Sequence, residues 1–277
     1  MKSIYLFIYC FVQTIICFGQ EQKDSAYLQV TYLENYHQDA NLLQKIRYDE
    51  FALYIGLKSS VFESVREARI KEIRDSVDAR GGSIYEMSAL TANCIRSFQY
   101  YRIYKGYPSE GKLTYIDNCS IWYKYEENIP KQNWAICPNK KEILGYKCQK
   151  AETTFRGRTW QVWYTTDIPI SEGPWKLSGL PGLILDAQDK DSVFHFYCAG
   201  VKVLQKKRPI SLMKGVYINC NRQELFNACW EMANDQAAYD KKVCGDTEVE
   251  LFDATGKPYK YPSYKYVGIE TDLEYKK

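Results

Sequence analysis

Residues 171–186 read SEGPWKLSGLPGLILD, and we take this stretch as the part of the chain that decides the fold. Gly179 supplies a positive φ where a Cβ would clash, and Pro181 fixes φ near the value that a turn requires. The apolar run 183–185 then predicts a short buried strand that ends at Asp186. The pattern therefore specifies a backbone path, and it specifies no chemistry by itself.

A second turn is predicted a few residues earlier, at Gly173 and Pro174. Two stiff corners thus flank residues 175–177, and together with the strand that follows they form one structural motif. The motif comprises Gly173, Pro174, Gly179, Leu180, Pro181, Gly182, Leu183 and Ile184.

Short runs rich in aromatic and β-branched residues recur along most of the chain and predict strands. The predicted strands are 26–34, 46–57, 95–104, 112–117, 120–125, 141–155, 158–166, 183–187 and 193–204. Within 141–155 we expect one long strand in which Gly145 makes a bulge or bend. In the strand 158–166, Trp160 and Trp163 point to opposite faces, so neither face is plainly exposed to solvent.

Two segments predict helices. Residues 64–78 contain strong helix formers, and Ser64 with Glu67 fits a capping box. This helix has a narrow apolar stripe and is either a packed surface connector or a lid. Residues 222–239 carry an apolar stripe at helical spacing after a capping asparagine, Asn221.

Many antiparallel strands at short spacing, joined by a few helices, are typical of a sandwich, a barrel or a curved half-barrel. We therefore predict an α+β fold that is mainly antiparallel β. The strands would form a curved sheet, a half-barrel or a sandwich, and two or three helices would pack on it.

The first nineteen residues have the pattern of a secretory signal peptide, because a positive charge precedes the apolar run 4–18. That run is too short to span a bilayer comfortably. Gly19 fits a cleavage position, and the residue before Cys17 does not fit a lipobox. We predict a signal peptide over 1–19 and one β-rich domain over 20–277, exported to the periplasm, associated with the outer membrane or secreted. No transmembrane span is expected in the mature chain.

Eight cysteines follow the signal peptide, and an even number in an oxidising compartment predicts disulfides. These residues are Cys94, Cys119, Cys137, Cys148, Cys198, Cys220, Cys229 and Cys244. Spacing does not determine connectivity. The pairings that we expect are Cys94 with Cys119, Cys137 with Cys148, Cys229 with Cys244, and Cys198 with Cys220.

The sequence predicts no catalytic residue set and neither a metal nor a cofactor. No Cys-x-x-Cys motif, Gly-x-Ser-x-Gly elbow or phosphate-binding glycine loop is present, and the histidines are His37 and His195. Cys198 is the best cysteine nucleophile, but strand positions three apart, such as His195 and Cys198, face opposite sides. The formal net charge of +3 is too small to predict a nucleic-acid partner.

Aromatic and charged side chains gather near the two corners. They either line a ligand-binding surface, or are core tryptophans and ion pairs that brace the turns. The candidate binding residues are Arg156, Arg158, Trp160, Trp163, Tyr164, Asp167, Trp175 and Lys176.

Residues 134–186 resemble the core of the GLPGLI family of exported proteins of Bacteroidetes. The resemblance rests on Trp134, Gly145, Tyr146, Cys148, Lys150, Ala151, Phe155, Gly157, Arg158, Trp163, Tyr164, Asp167, Ile168, Pro169, Ile170, Gly173, Pro174 and the hexapeptide 179–184. It implies an exported protein with no assigned activity, and it supplies no catalytic residues.

From these observations we expect a non-enzymatic binding, carrier or accessory protein. Its partner would be an apolar or peptide ligand, or a transport complex of the outer membrane or envelope. The alternative is an exported Cys-dependent hydrolase or redox protein. The number of free thiols in the native protein separates the two functions, because accessible thiols are required for cysteine chemistry.

Overall fold

A computed structural model describes residues 24–39, 41–42, 44–92, 94, 99–213, 215–245, 257 and 265–276 of the chain. The predicted signal peptide and residues 95–98 of the predicted strand 95–104 lie outside these residues. Within them, none of the helices is both long and apolar enough to cross a membrane.

Twelve strands of the described chain form one open, curved sheet. They are β1 (Ser25–His37), β2 (Ile46–Ile55), β3 (Ser60–Ser64), β4 (Arg102–Lys105), β5 (Lys112–Cys119), β6 (Ile121–Asn128), β7 (Ala135–Ile143), β8 (Tyr146–Phe155), β9 (Arg158–Thr165), β10 (Leu183–Asp189), β11 (Phe194–Pro209) and β12 (Ile218–Asn219). Their order across the sheet is β12-β6-β5-β4-β3-β2-β1-β11-β10-β9-β8-β7. The pair β12–β6 is parallel, and the other neighbours are antiparallel. The predicted fold class, α+β with a curved antiparallel sheet, is confirmed.

Four helices accompany the sheet within the described residues. They are α1 (Val65–Ala79), α2 (Ile84–Thr91), α3 (Arg222–Asn234) and α4 (Gln236–Cys244). Ser64 caps α1 as predicted, because its side chain accepts a hydrogen bond from the Glu67 N–H group. Helix α2 is not among the helices predicted from the sequence. Its N-cap, Ser83, is a local signal that was missed.

The single helix predicted over 222–239 is wrong, since two helices occupy this region. The break falls at Asp235, whose φ of −149° and ψ of 87° are not helical. Its side chain accepts a hydrogen bond from the Ala238 N–H group at 3.0 Å and so caps α4. Asn221 caps α3 with a complete capping box, as a helix start at this position requires.

The long strand predicted over 141–155 is also wrong, because a hairpin turn divides it into β7 and β8. Leu144 and Gly145 occupy the turn with φ values of 51° and 83°. Positive φ at both central residues is typical of a type I′ turn, which fits the twist of a two-residue hairpin. Gly145 is therefore a turn residue and not a bulge.

The Gly/Pro motif forms two close approaches of the backbone. A Cβ on Gly182 would lie 2.6 Å from the carbonyl carbon of Thr165, and one on Gly173 would lie 2.9 Å from Cβ of Ile184. Gly179 has a φ of 96°. Leu183, Ile184 and Leu185 follow as buried strand residues, as predicted.

The larger core cluster combines aliphatic side chains with 15 aromatic ones, several of which lie in a row across neighbouring strands. Phe51 stacks on Phe62 and on Tyr101, with ring centroids 4.7 and 4.8 Å apart. Tyr115 and Tyr125 continue the row at 5.2 Å. These rings are buried and packed against one another.

One disulfide, between Cys119 and Cys229, is present in the described chain and ties β5 to α3. The pairings predicted for these two cysteines are wrong, because α3 packs on β5 and brings together residues 110 positions apart. Spacing along the sequence carries no signal of such a contact. The two other predicted pairs, Cys137 with Cys148 and Cys198 with Cys220, do not form. The free cysteines of the described residues are Cys94, Cys137, Cys148, Cys198, Cys220 and Cys244.

Candidate functional site

A cleft of about 620 Å³ opens where the ends of several strands meet the two corners of the Gly/Pro motif. Its walls come from the β2–β3 loop, the β4–β5 loop, the segment after β6 and the two corners. The lining residues are 55–59, 105–106, 111, 129–133, 170–172 and 178–179. Nine of these eighteen residues have polar side chains, namely three lysines, three serines, two amides and one carboxylate, and the others are glycines and apolar residues.

The β2–β3 loop is held in place by Asp24, whose carboxylate accepts hydrogen bonds from the Lys58 and Ser59 N–H groups, both at 2.9 Å. Burial would raise the pKa of Asp24, but these donors and the Ser59 hydroxyl lower it below its ordinary value. A Cβ on Gly56 would lie 2.7 Å from Cγ of Asp24. Glycine is therefore required for this carboxylate to lie against the loop.

The β4–β5 loop lies against the same loop through a second glycine. Gly106 has a φ of 71°, and a Cβ on it would lie 2.5 Å from the Lys58 carbonyl oxygen. Its N–H group donates to the Lys112 carbonyl oxygen at 2.8 Å. The two loops thus form one rigid wall of the cleft.

An ion pair between Lys105 and Glu172 lies at the cleft, with Nζ of Lys105 2.7 Å from Oε2 of Glu172. The Lys105 side chain is only 5% exposed, and its Nζ also donates to the Leu177 carbonyl oxygen at 3.0 Å. Ser60 Oγ donates to Oε1 of Glu172 at 2.9 Å. Both carboxylate oxygens therefore have a fixed direction, as a positioned acid–base group requires.

The segment after β6 is hydrogen-bonded to the chain between the two corners. Gln132 Nε2 donates to the Lys176 carbonyl oxygen at 2.9 Å, and its Oε1 accepts from the Ser178 N–H group at 3.1 Å. Trp134 Nε1 donates to the Ser178 carbonyl oxygen at 2.9 Å. These bonds fix the opposite wall of the cleft to the Gly/Pro motif.

Behind this wall, the Lys176 side chain is fully buried in a network of charged groups. Its Nζ donates to Tyr125 Oη at 2.6 Å and to Glu127 at 3.0 Å, and it also pairs with Glu270. Arg222 contacts Glu270 at 2.6 Å and so extends the network to α3. Charges of both signs balance here, and the network braces the site instead of presenting a free charge.

The eight candidate binding residues occupy different places. Three belong to the core: Trp160, Tyr164 and Trp175. Three are held in buried or half-buried ion pairs: Arg156 with Glu127, Arg158 with Asp189, and Lys176 with Glu127 and Glu270. The two others are Trp163, over which Nζ of Lys141 lies at 4.5 Å, and Asp167, which accepts from the Lys147 N–H group at 3.3 Å. None of the eight is among the lining residues of the cleft.

The thiol with the best sequence position for nucleophilic chemistry is not activated. Burial raises the pKa of Cys198 to about 11, although the Gly200 backbone opposes the rise. His195 belongs to the other face and lies 3.1 Å from Asp186. Burial also raises the pKa values of Cys148 and Cys220 to about 11. These three thiols stay protonated near neutral pH.

A second, much smaller cavity of about 50 Å³ lies between β5, β6, α3 and residues 266–273. Asp117 lines it beside Tyr115 and Glu270. Burial raises the pKa of Asp117 to about 7, although the Asn118 N–H group opposes the rise. Among the residues that the structure describes, no three His, Cys, Asp or Glu side chains are grouped so that they would hold a metal ion.

The charged residues of the cleft are not among the residues predicted from the sequence. Glu172 directly precedes Gly173 in the stretch that decides the fold, but its partner Lys105 lies 67 positions away. The signal that would have found Glu172 was a lone carboxylate at a rigid corner. No local pattern pointed to Lys105.

Comparison with protein families gives a match over residues 97–217, to the family described as "N-glycanase peptide, N-terminal domain". The matched region is less than half of the chain. It contains every lining residue of the cleft except 55–59.

Two solved structures of PNGF-II, in space groups C2 and P21, are similar to this chain. Their sequence identities are 15% and 16%, with TM-scores of 0.46 and 0.47. The alignments cover 75% and 74% of this chain and 33% of each PNGF-II chain. The chain therefore spans about a third of the length of these proteins. No curated protein matches its sequence.

The family match corrects two predictions. The assignment to the GLPGLI family is wrong, because residues 134–186, on which it rested, lie within the region that matches the N-glycanase domain. The prediction of a non-enzymatic carrier is wrong as well, since the matching family is named for an enzyme. The predicted transport partner and the expected lack of a nucleic-acid partner stay predictions.

Proposed function

We propose that this chain is a hydrolase that acts on N-linked glycans of glycoproteins and binds the glycopeptide in the cleft beside the Gly/Pro motif. The observation that carries the proposal is the overlap between the cleft and the region matched by the N-glycanase family. A volume of about 620 Å³ is large enough for a sugar and the peptide link. The hydroxyl, amide and charged side chains of the lining can make hydrogen bonds to a ligand that is rich in hydroxyl and amide groups.

Glu172 and Lys105 are the residues to which we assign the chemistry. Hydrolysis of an amide requires removal of a proton from the attacking water and its transfer to the leaving nitrogen. Glu172 takes a proton from water as the water oxygen attacks the amide carbon, and it gives this proton to the nitrogen as the C–N bond breaks. Lys105 keeps the carboxylate in position and places a positive charge close to the oxygen on which negative charge develops.

Export of this hydrolase is part of the same proposal. The pattern of residues 1–19 predicts a signal peptide, and a disulfide between Cys119 and Cys229 fits an oxidising compartment. The mature protein would be a single domain over 20–277 that works in the periplasm, at the outer membrane or outside the cell.

The experiment is a deglycosylation assay with a denatured N-glycoprotein, read by the loss of glycan mass. We expect the wild-type protein to release glycan and Glu172→Gln to reduce the rate by about 100-fold or more. Glu110→Gln is the matched control, because Glu110 is exposed on the β4–β5 loop and does not line the cleft. No release by equimolar wild-type protein would refute the activity. An unchanged rate for Glu172→Gln would refute the residue assignment.

A second candidate function, a Cys-dependent hydrolase or redox protein, is favoured by the free thiols, of which Cys244 is exposed. Alkylation of the native protein with iodoacetamide separates the two candidates. Activity through Glu172 survives alkylation, whereas activity through a thiol is lost.

A further inference from the structure

The hydrogen-bond donors of the β2–β3 loop converge on one carboxylate. The N–H groups of Lys58 and Ser59 and the Ser59 hydroxyl each donate to Oδ2 of Asp24 at 2.9 Å. Oδ1 accepts from the N–H groups of Ser25 at 2.8 Å and Leu57 at 3.3 Å. Successive backbone N–H groups that point to one side form a concave site for an anion. In this chain the site is filled by a carboxylate of the chain itself.

The loop closes tightly around this carboxylate. A Cβ on Gly56 would lie 2.7 Å from Cγ of Asp24, so a larger residue at position 56 would push the carboxylate out. The Gly56 N–H group donates to the Ser59 carbonyl oxygen at 2.8 Å and completes the turn. The Asp24 carbonyl oxygen accepts from the Ile210 N–H group at 2.9 Å. Asp24 therefore ties the loop to the start of β1 and to the residue that follows β11.

Ser60, the next residue along the chain, connects this loop to the charged pair of the cleft. It begins β3 and lies directly opposite Lys105 of β4. Ser60 is 2% exposed, and its Oγ donates to Oε1 of Glu172 at 2.9 Å. Because Ser59 and Ser60 are adjacent, a movement of the loop away from Asp24 would also move the Ser60 hydroxyl away from Glu172.

We propose that the β2–β3 loop is an anion-binding site occupied by Asp24, and that Asp24 is a positioning residue that holds Ser60 against Glu172. The effect on hydrolysis rests on the proposed function, whereas the anion-binding site does not depend on it. Asp24 is not among the lining residues of the cleft, so it acts through the loop and does not touch the substrate. A free carboxylate such as formate should bind in its place once the side chain has been shortened.

The test is chemical rescue of Asp24→Ala by formate in the full chain. Without formate, kcat for glycan release should fall by about 10- to 100-fold, with a much smaller change in KM, because Glu172 has lost its fixed direction. Sodium formate at about 100 mM should restore at least about a third of the wild-type kcat and raise the urea midpoint of the variant, because it binds the folded form. Formamide has nearly the same shape without the charge and should change neither value. Formate should leave the wild type unchanged.

Two further variants serve as controls. Asp24→Asn keeps the site filled but places an NH₂ group against N–H donors, so its kcat should be low and formate should not restore it. Asp235→Ala also removes a carboxylate that accepts from a backbone N–H group, that of Ala238 at 3.0 Å, but at the start of α4 and outside the cleft. It should lose stability and keep its kcat.

The outcomes separate this inference from the proposed function. If the wild type releases no glycan, the hydrolase proposal fails, and the effect of formate on the urea midpoint of Asp24→Ala still decides the anion-binding site. If the wild type is active but formate changes neither kcat nor the midpoint of Asp24→Ala, the inference is overturned and the hydrolase proposal stands. A higher midpoint without a higher kcat overturns the positioning of Glu172 by Asp24. Equal rescue by formamide overturns the selection of an anion.

Discussion

The half-buried carboxyl group of Asp117 gives the stability of this protein a pH dependence that one substitution should remove. Asp117 lines the small cavity under α3, and burial raises its pKa from the ordinary value of 3.8 to about 7. Its Oδ1 accepts a hydrogen bond from the Asn118 N–H group at 2.8 Å. The variant Asp117→Asn retains an oxygen for this bond and removes the titration.

The direction in which stability changes with pH follows from proton binding. Because the folded pKa lies above the unfolded value, the folded protein binds more protons, and stability falls as the pH rises from 3.8 through about 7. At about 1.4 kcal/mol per pKa unit, full ionisation costs roughly 4 kcal/mol. Because the side chain is partly exposed, screening by solvent reduces this to about 2 kcal/mol. Asp117→Asn should therefore be more stable than the wild type by about 2 kcal/mol at pH 8 and nearly equal at pH 4.

The assay is urea unfolding of the oxidised protein at several pH values between 4 and 8, with the free energy of unfolding extrapolated to water. Asp191→Asn is the control, since Asp191 is exposed in the β10–β11 turn and should change stability equally at each pH. If the difference in the free energy of unfolding between Asp117→Asn and the wild type does not grow with pH, burial of Asp117 is not the cause of a pH dependence.

Two further predictions concern the fold. Gly182→Ala should lower the free energy of unfolding by about 2–3 kcal/mol, because its Cβ would overlap the Thr165 carbonyl group, whereas Gly200→Ala, with open space around it, should cost much less. Similar urea midpoints for the two variants would contradict the close approach. Replacing Cys119 and Cys229 by serine should cost roughly 3–4 kcal/mol, since the disulfide closes a loop of 110 residues. Reduction of the wild type should give the same loss, and Cys137→Ser, at a free cysteine, should give almost none. A double variant as stable as the oxidised protein would show that the crosslink adds nothing.

Local patterns predicted most of the elements, because each depends on residues a few positions apart. The alternating run in β1, the cap at Ser64 and the close-packed glycines of the Gly/Pro motif are examples. The errors arose where the local signal was weak. The turn between β7 and β8 uses Leu-Gly instead of the more usual Asn-Gly, and the break at Asp235 lies within a continuous helical pattern.

The sequence by itself determined a mainly antiparallel α+β chain with two stiff corners. It also determined short strands and which of their side chains share a face. Only the tertiary structure decided that β1 lies between β2 and β11, that Cys119 meets Cys229 and that Lys105 meets Glu172. The physical reason is the distance along the sequence over which each kind of interaction acts. Propensity, capping and turn geometry act between neighbours in sequence, whereas these contacts form only after the sheet has been assembled and its loops have been brought together by close packing.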